Sequence, residues 1–181
     1  MAGVSNIEVL VLGGNNQAYT AQLATGVNRV LGLAGAGNQN LTFTNIVSGI
    51  TIDLGDGAND TLTLASGVTA NSVTVSNVET ITGGTGPDNI TVMTTGSTVV
   101  AGLGTDTVTF GTGELTIVMD PSVEVVNGSS GNDTMTFTGA ISGIAITSGG
   151  GNDVINLATG VNQFTLAADF AGKTVTVNGN G

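Results

Sequence analysis

Residues 83 to 92 read GGTGPDNITV, with glycines at 83, 84 and 86, an aspartate at 88, and polar and aliphatic residues in alternation from there. Glycine reaches positive φ and lets backbones approach closely, and a period of two describes a strand with one buried face. The stretch therefore predicts a tight turn feeding a half-buried strand, with one acid at the junction. The same grammar recurs in GDGANDTLTL at 55 to 64, AGLGTDTVTF at 101 to 110, GSSGNDTMTF at 128 to 137 and SGGGNDVINL at 148 to 157. The five acids are Asp60, Asp88, Asp106, Asp133 and Asp153. Two upstream segments, GGNNQAYTA from Gly13 and AGAGNQNLTF from Ala34, keep the turn composition but carry Gln17 and Gln39 at the acid position, and they read as degenerate copies.

From Asp60 onward a longer and a shorter interval alternate: long from Asp60 to Asp88, short to Asp106, long to Asp133 and short to Asp153. Repetition of this kind points to a solenoid or array. Aligned on the acids, Phe43, Leu64, Val92, Phe110, Phe137 and Leu157 fall in one inward column. Leu41, Leu62, Ile90, Val108, Met135 and Ile155 form a second column on the same side. Further β-rich runs, such as SVTVSN at 72 to 77 and GIAIT at 143 to 147, lie between the acid-bearing turns. No segment sustains a 3.6-residue period with caps, so essentially no helix is expected. Glu8, Glu79 and Glu124 each stand nine residues before a turn position, which suggests a nonapeptide as the elementary unit; they are read as solvent-facing strand ends.

The 181 residues suffice for a single domain, 1 to 181, divided into degenerate repeats (1 to 54), well-formed repeats (55 to 157) and a terminal coil (158 to 181). Thirteen acids oppose two bases, Arg29 and Lys173, for a net charge of −11. Phosphate backbones and anionic membranes would be repelled, which argues against nucleic-acid binding. With neither Cys nor His, thiol and imidazole chemistry and the usual zinc sites are excluded, leaving oxygen ligands suited to hard cations. No apolar run approaches the roughly 18 residues of a membrane helix, so no membrane insertion is expected. The chain has no Trp and one Tyr, hence no aromatic sugar platform, and catalysis is not expected.

Calcium-binding β-helices repeat the nonapeptide GGxGxDxUx, where U is a large aliphatic residue, and residues 83 to 91 satisfy every position. On these residues the chain resembles the bacterial RTX proteins, whose nonapeptides wind into a parallel β-roll around calcium after type I secretion. The sparse, Thr- and Asn-rich copies are closest in character to repeats of bacterial surface-layer proteins and extracellular adhesins. The resemblance covers residues 55 to 157. It implies a right-handed parallel β-solenoid of about seven coils, each of roughly 18–28 residues. It implies calcium held by Asp60, Asp88, Asp106, Asp133 and Asp153, with Asp56 a further acid, and by backbone oxygens near Gly83, Gly102, Gly128 and Gly149. It also implies export to the cell surface.

Carboxylates stacked one per coil would lie about 5 Å apart and repel by roughly 1 kcal/mol per adjacent pair even in water. Calcium would turn that repulsion into cross-linking. The alternative is that Gly-Asn-Asp is ordinary turn vocabulary, which a solenoid needs at every corner with or without metal. The preferred function is a non-enzymatic, self-associating structural module of a surface layer, fibre or matrix, with a cell-surface polysaccharide as a further partner. The other readings are a calcium-dependent adhesin or a secretion module. A weaker one is ice binding through an outward ladder of Thr61 with Thr63, Asn89 with Thr91, Thr107 with Thr109 and Thr134 with Thr136. The ordinary strand preference of threonine explains that ladder more simply.

Overall fold

The computed structural model describes residues 8–14, 16–23, 26–33, 35, 37–167 and 173–179. Several residues of the repeat alignment lie outside these: Asn15 of the first degenerate copy, Ala34 and Ala36 of the second, the Ser5–Ile7 part of SNIEVLV, and parts of both terminal segments. Every regular element among the described residues is a β-strand. One set comprises β1 (Val9–Val11), β3 (Arg29–Leu31), β5 (Ser48–Asp53), β7 (Asn71–Ser76), β9 (Asp88–Val92), β11 (Thr107–Phe110), β13 (Val125–Asn127), β15 (Ser142–Thr147) and β17 (Gln163–Ala167). The other comprises β2 (Gln17–Ala21), β4 (Gln39–Phe43), β6 (Thr61–Thr63), β8 (Thr80–Thr82), β10 (Thr98–Val100), β12 (Thr116–Met119), β14 (Thr134–Phe137), β16 (Asp153–Asn156) and β18 (Val175–Asn178).

The odd strands form one nine-stranded sheet and the even strands another, each in chain order, and all pairings are parallel. Each circuit is strand, corner, strand, corner. The coil is therefore two-sided, and the chain is a parallel β-solenoid of about eight turns. This is one turn more than the acid punctuation suggests, because the coil of β7 and β8, between those marked by Asp60 and Asp88, carries Glu79 at its corner and no glycine-aspartate turn.

The period-two pattern is realised directly: in β11, Val108 and Phe110 are buried while Thr107 and Thr109 face outward. The inward residues of both sheets form one continuous core running from Leu12 to Leu157. Full burial of each Val, Leu or Ile contributes about 1.5–3 kcal/mol of transfer free energy. The single inward columns expected from the sequence are divided by the structure. Leu41, Phe43, Leu62, Leu64, Met135, Phe137, Ile155 and Leu157 line the even-strand side, whereas Ile90, Val92, Val108 and Phe110 line the odd-strand side. Successive rungs along one sheet are 17 to 24 residues apart. The short steps, from Asp88 to Asp106 and from Asp133 to Asp153, are thus one full coil each. The long steps, from Asp60 to Asp88 and from Asp106 to Asp133, are about one and a half coils and carry the chain to the opposite sheet.

Candidate metal centre

Each acid stands at the corner where the chain enters a strand, and the division of the sheets sets the acids in two columns. The first stacks Asn71, Asp88, Asp106 and Glu124 at the entry to the odd strands. The second stacks Gln39, Asp60 and Glu79 at the entry to the even strands and, farther along, Asp133 and Asp153. Asp60, Asp88, Asp106, Asp133 and Asp153 are all buried. Glu79 and Glu124 correct the sequence reading: they are half-buried rungs of these columns, at the positions the nine-residue echo marked, and not free strand ends. Glu8 is exposed, as expected. Asp56 is exposed in its turn, apart from the buried column.

Each column is stitched from coil to coil by side-chain acceptors. The Asp88 backbone N–H donates to Asp106 Oδ1 at 2.8 Å, and the Asp106 N–H donates to Glu124 Oε2 at 2.7 Å. In the second column the Gln39 N–H donates to Asp60 Oδ1 at 2.5 Å and the Asp60 N–H to Glu79 Oε2 at 2.6 Å. The Asp133 N–H donates to Asp153 Oδ1 at 3.0 Å. Two acids are satisfied at both oxygens. Asp88 accepts from Asn71 Nδ2 (2.6 Å) and the Gly84 N–H (2.7 Å), and Asp133 accepts from the Leu115 N–H (3.0 Å) and the Ser129 N–H (2.7 Å). An outer file runs in the opposite sense: the Asn59 N–H donates to Asn38 Oδ1, the Asn152 N–H to Asn132 Oδ1 and the Thr174 N–H to Asn152 Oδ1. Neighbouring coils therefore exchange hydrogen bonds in both directions at each such corner.

The glycines answer to this stacking. A Cβ on Gly83 would collide with the Ala101 carbonyl of the next coil and fall 2.5 Å from Asp88 Oδ2. Gly102 combines φ +98 with a comparable collision against the Gly84 carbonyl. The Gly84 carbonyl accepts from the Leu103 N–H and the Ser129 carbonyl from the Gly150 N–H, so sheet-like pairing continues around the corners. Gly128 and Gly149 pack in the same way, against the Ser148 and Ser129 carbonyls.

The electrostatics are less well satisfied. The second oxygen, Oδ2, of Asp60, Asp106 and Asp153 is buried without a hydrogen-bond partner. Burial pushes the Asp106 carboxyl up to about 6; the Asp88 N–H opposes this, while the charges of Asp88, Glu124 and Asp120 add to it. Burial also raises Asp60, against the Gln39 N–H and the nearby Gly57 N–H and with the charge of Glu79. Orphaned, desolvated carboxylate oxygens beside stacked carbonyls are a donor set for a hard cation. A built-in cation already uses this chemistry, since Lys173 Nζ donates to the Gly149 carbonyl at 3.2 Å, in the turn that leads to Asp153. Among the described residues no three Asp or Glu side chains converge as a ready-made metal cluster. An ion here would thus be held by one or two carboxylates plus backbone oxygens. Asp60, Asp106 and Asp153 fit that role, whereas Asp88 and Asp133 already spend both oxygens on N–H donors.

The outward threonines are also divided between faces. Thr61 with Thr63 and Thr134 with Thr136 lie on the even-strand sheet, while Asn89 with Thr91 and Thr107 with Thr109 lie on the odd-strand sheet. The single ladder read from the sequence does not exist. Asn71, at the head of the first column, had no signal in the sequence, because ANSVTV lacks the glycine-acid turn. No protein-family model, curated protein sequence or solved structure matches this chain.

Proposed function

We propose that this protein is a non-enzymatic structural module, a β-solenoid whose corner carboxylates bind calcium outside the cell and which assembles with further copies into a surface layer, fibre or matrix. The observation that carries the reading is the pair of buried acid columns with unpartnered oxygens at Asp60, Asp106 and Asp153, in a chain with only two bases. Bound calcium would supply positive charge where the fold stacks negative charge. Sites with so few carboxylates belong in the extracellular range of about 10⁻⁴ to 10⁻³ M, so calcium would raise a marginal folded fraction only outside the cell. Coil-on-coil pairing supports assembly, because the parallel backbone pairing that joins one coil to the next is equally able to join one copy to another.

A calcium titration followed by circular dichroism and light scattering tests both halves. The expected result is a gain of β-signal with a midpoint near the extracellular range, followed by scattering that rises with protein concentration. Identical spectra in chelator and in millimolar calcium would overturn the calcium reading. Calcium-driven folding with no concentration-dependent scattering would overturn the assembly half.

A further inference from the structure

Among the described residues, the rung where glutamine replaces the acid is the least satisfied. Gln39 is 0% exposed, and neither its Oε1 nor its Nε2 has a hydrogen-bond partner. On the next rung, Asp60 is also 0% exposed and its Oδ2 is unpartnered. The two rungs are in direct contact through the 2.5 Å bond from the Gln39 N–H to Asp60 Oδ1. A backbone oxygen also borders the Gln39 amide. A Cβ placed on Gly32 would collide with the Leu54 carbonyl and fall 2.7 Å from Gln39 Oε1, so both oxygens crowd the same glycine. Glu79 stacks on the far side of Asp60 and adds a second negative charge.

A buried carboxamide with all its polar atoms unmet is costly, and the corner must hold something that meets them. Water could serve the amide but would not offset two successive carboxylates. The only bases are Arg29, exposed on β3 of the other sheet, and Lys173, far along the stack. We propose that Gln39 Oε1, the Leu54 carbonyl and the Asp60 carboxylate form one hard-cation site, completed by water, which also gives Gln39 Nε2 an acceptor. The glutamine rung is then a neutral ligand and not a worn copy of the acid. This rests on the calcium reading of the columns and names one ligand set within it.

Tyr19 makes the site separately observable. It is the sole tyrosine in a chain without tryptophan. It pairs with Leu41, two residues beyond Gln39, and Leu41 pairs with Leu62, two residues beyond Asp60. The donor is thus one and two strands from the proposed ligands, at about 4.8 Å per strand, whereas Asp106 and Asp153 lie at least about 20 Å along the stack. Terbium, a hard trivalent stand-in for calcium, should emit on tyrosine excitation when bound here, and calcium should displace it. Gln39→Leu and Asp60→Asn should abolish the emission, while Glu114→Gln, at an exposed position outside both columns, leaves it unchanged. Gln39→Glu, which keeps the volume and adds a charge, should lower the half-saturating terbium concentration about tenfold. If the parent shows no sensitised emission although calcium still changes its circular dichroism, this site is refuted and the column reading survives. Emission that persists in Gln39→Leu, or is lost in Gln39→Glu, refutes the assignment of the glutamine. Absence of both emission and any calcium response removes the underlying calcium reading as well.

Discussion

Replacing Asp106 by asparagine should make the metal-free protein more stable at neutral pH, the reverse of what removing a buried, hydrogen-bonded acid ordinarily does. The carboxyl is raised from 3.8 to about 6 by burial and by the charges of Asp88, Glu124 and Asp120. A rise of that size corresponds to about 3 kcal/mol between protonation states. Because the folded pKa lies above the unfolded one, the favourable contribution is full below pH 3.8 and is lost as pH climbs through about 6. Asparagine keeps an oxygen to accept the Asp88 N–H. It sets an amide at the position of the partnerless Oδ2, which recovers only part of the total, so the expected gain is about 1–2 kcal/mol. Urea denaturation in chelator at pH 4.5 and pH 7.5 reads this directly: the two proteins should differ little at the lower pH, with the variant the more stable at the higher. In millimolar calcium the order should narrow or reverse, because only the parent has the charge to gain from the ion. A variant less stable than its parent in chelator at pH 7.5, or a difference independent of pH between 4.5 and 7.5, would refute the account of Asp106 as an uncompensated buried charge.

Asp133→Ala should act oppositely, because both oxygens of Asp133 are in use. It leaves the Leu115 and Ser129 N–H groups without acceptors and should cost about 2–4 kcal/mol in urea denaturation, with or without calcium. Gly83→Ala should cost at least about 1–3 kcal/mol by thermal melting, because the Ala101 carbonyl it meets is backbone and cannot turn aside. Gly13→Ala, with nothing within 4 Å of the added carbon, should stay within about 0.5 kcal/mol by the same measurement. Ile117→Ala, at a fully buried position between the sheets, should cost about 2–5 kcal/mol in urea denaturation whatever the metal.

Much of the architecture was legible in the residues themselves. Strand identity follows from alternation as plain as Thr107, Val108, Thr109, Phe110, and corners follow from the glycines that precede each acid. The solenoid follows from repeating both. The five aspartates were also recognisable as a set, since each begins a strand after the same kind of turn. Glu79 and Glu124 carried a faint signal, the nine-residue echo, but nothing in their own segments distinguishes a buried rung from an exposed strand end. Gln39 keeps the turn composition without the acid, and nothing in its own segment reveals that it is fully buried against Asp60 and beside the Leu54 carbonyl, both far from it along the chain and brought close only by the winding of the coil.

The local alphabet of this protein, turn, acid, alternating strand, is a property of the sequence alone, because φ freedom and period two are decided within a few residues. Tertiary structure alone decided which acids become neighbours. The length of one closed coil sets whether a step along the chain ends on the same sheet or the opposite one, and that length includes every corner residue between repeats. The shorter interval therefore stacked Asp88 on Asp106, while the longer one separated Asp60 from Asp88 across the core. From that division come the two columns, the spent oxygens of Asp88 and Asp133 and the unspent ones of Asp60, Asp106 and Asp153.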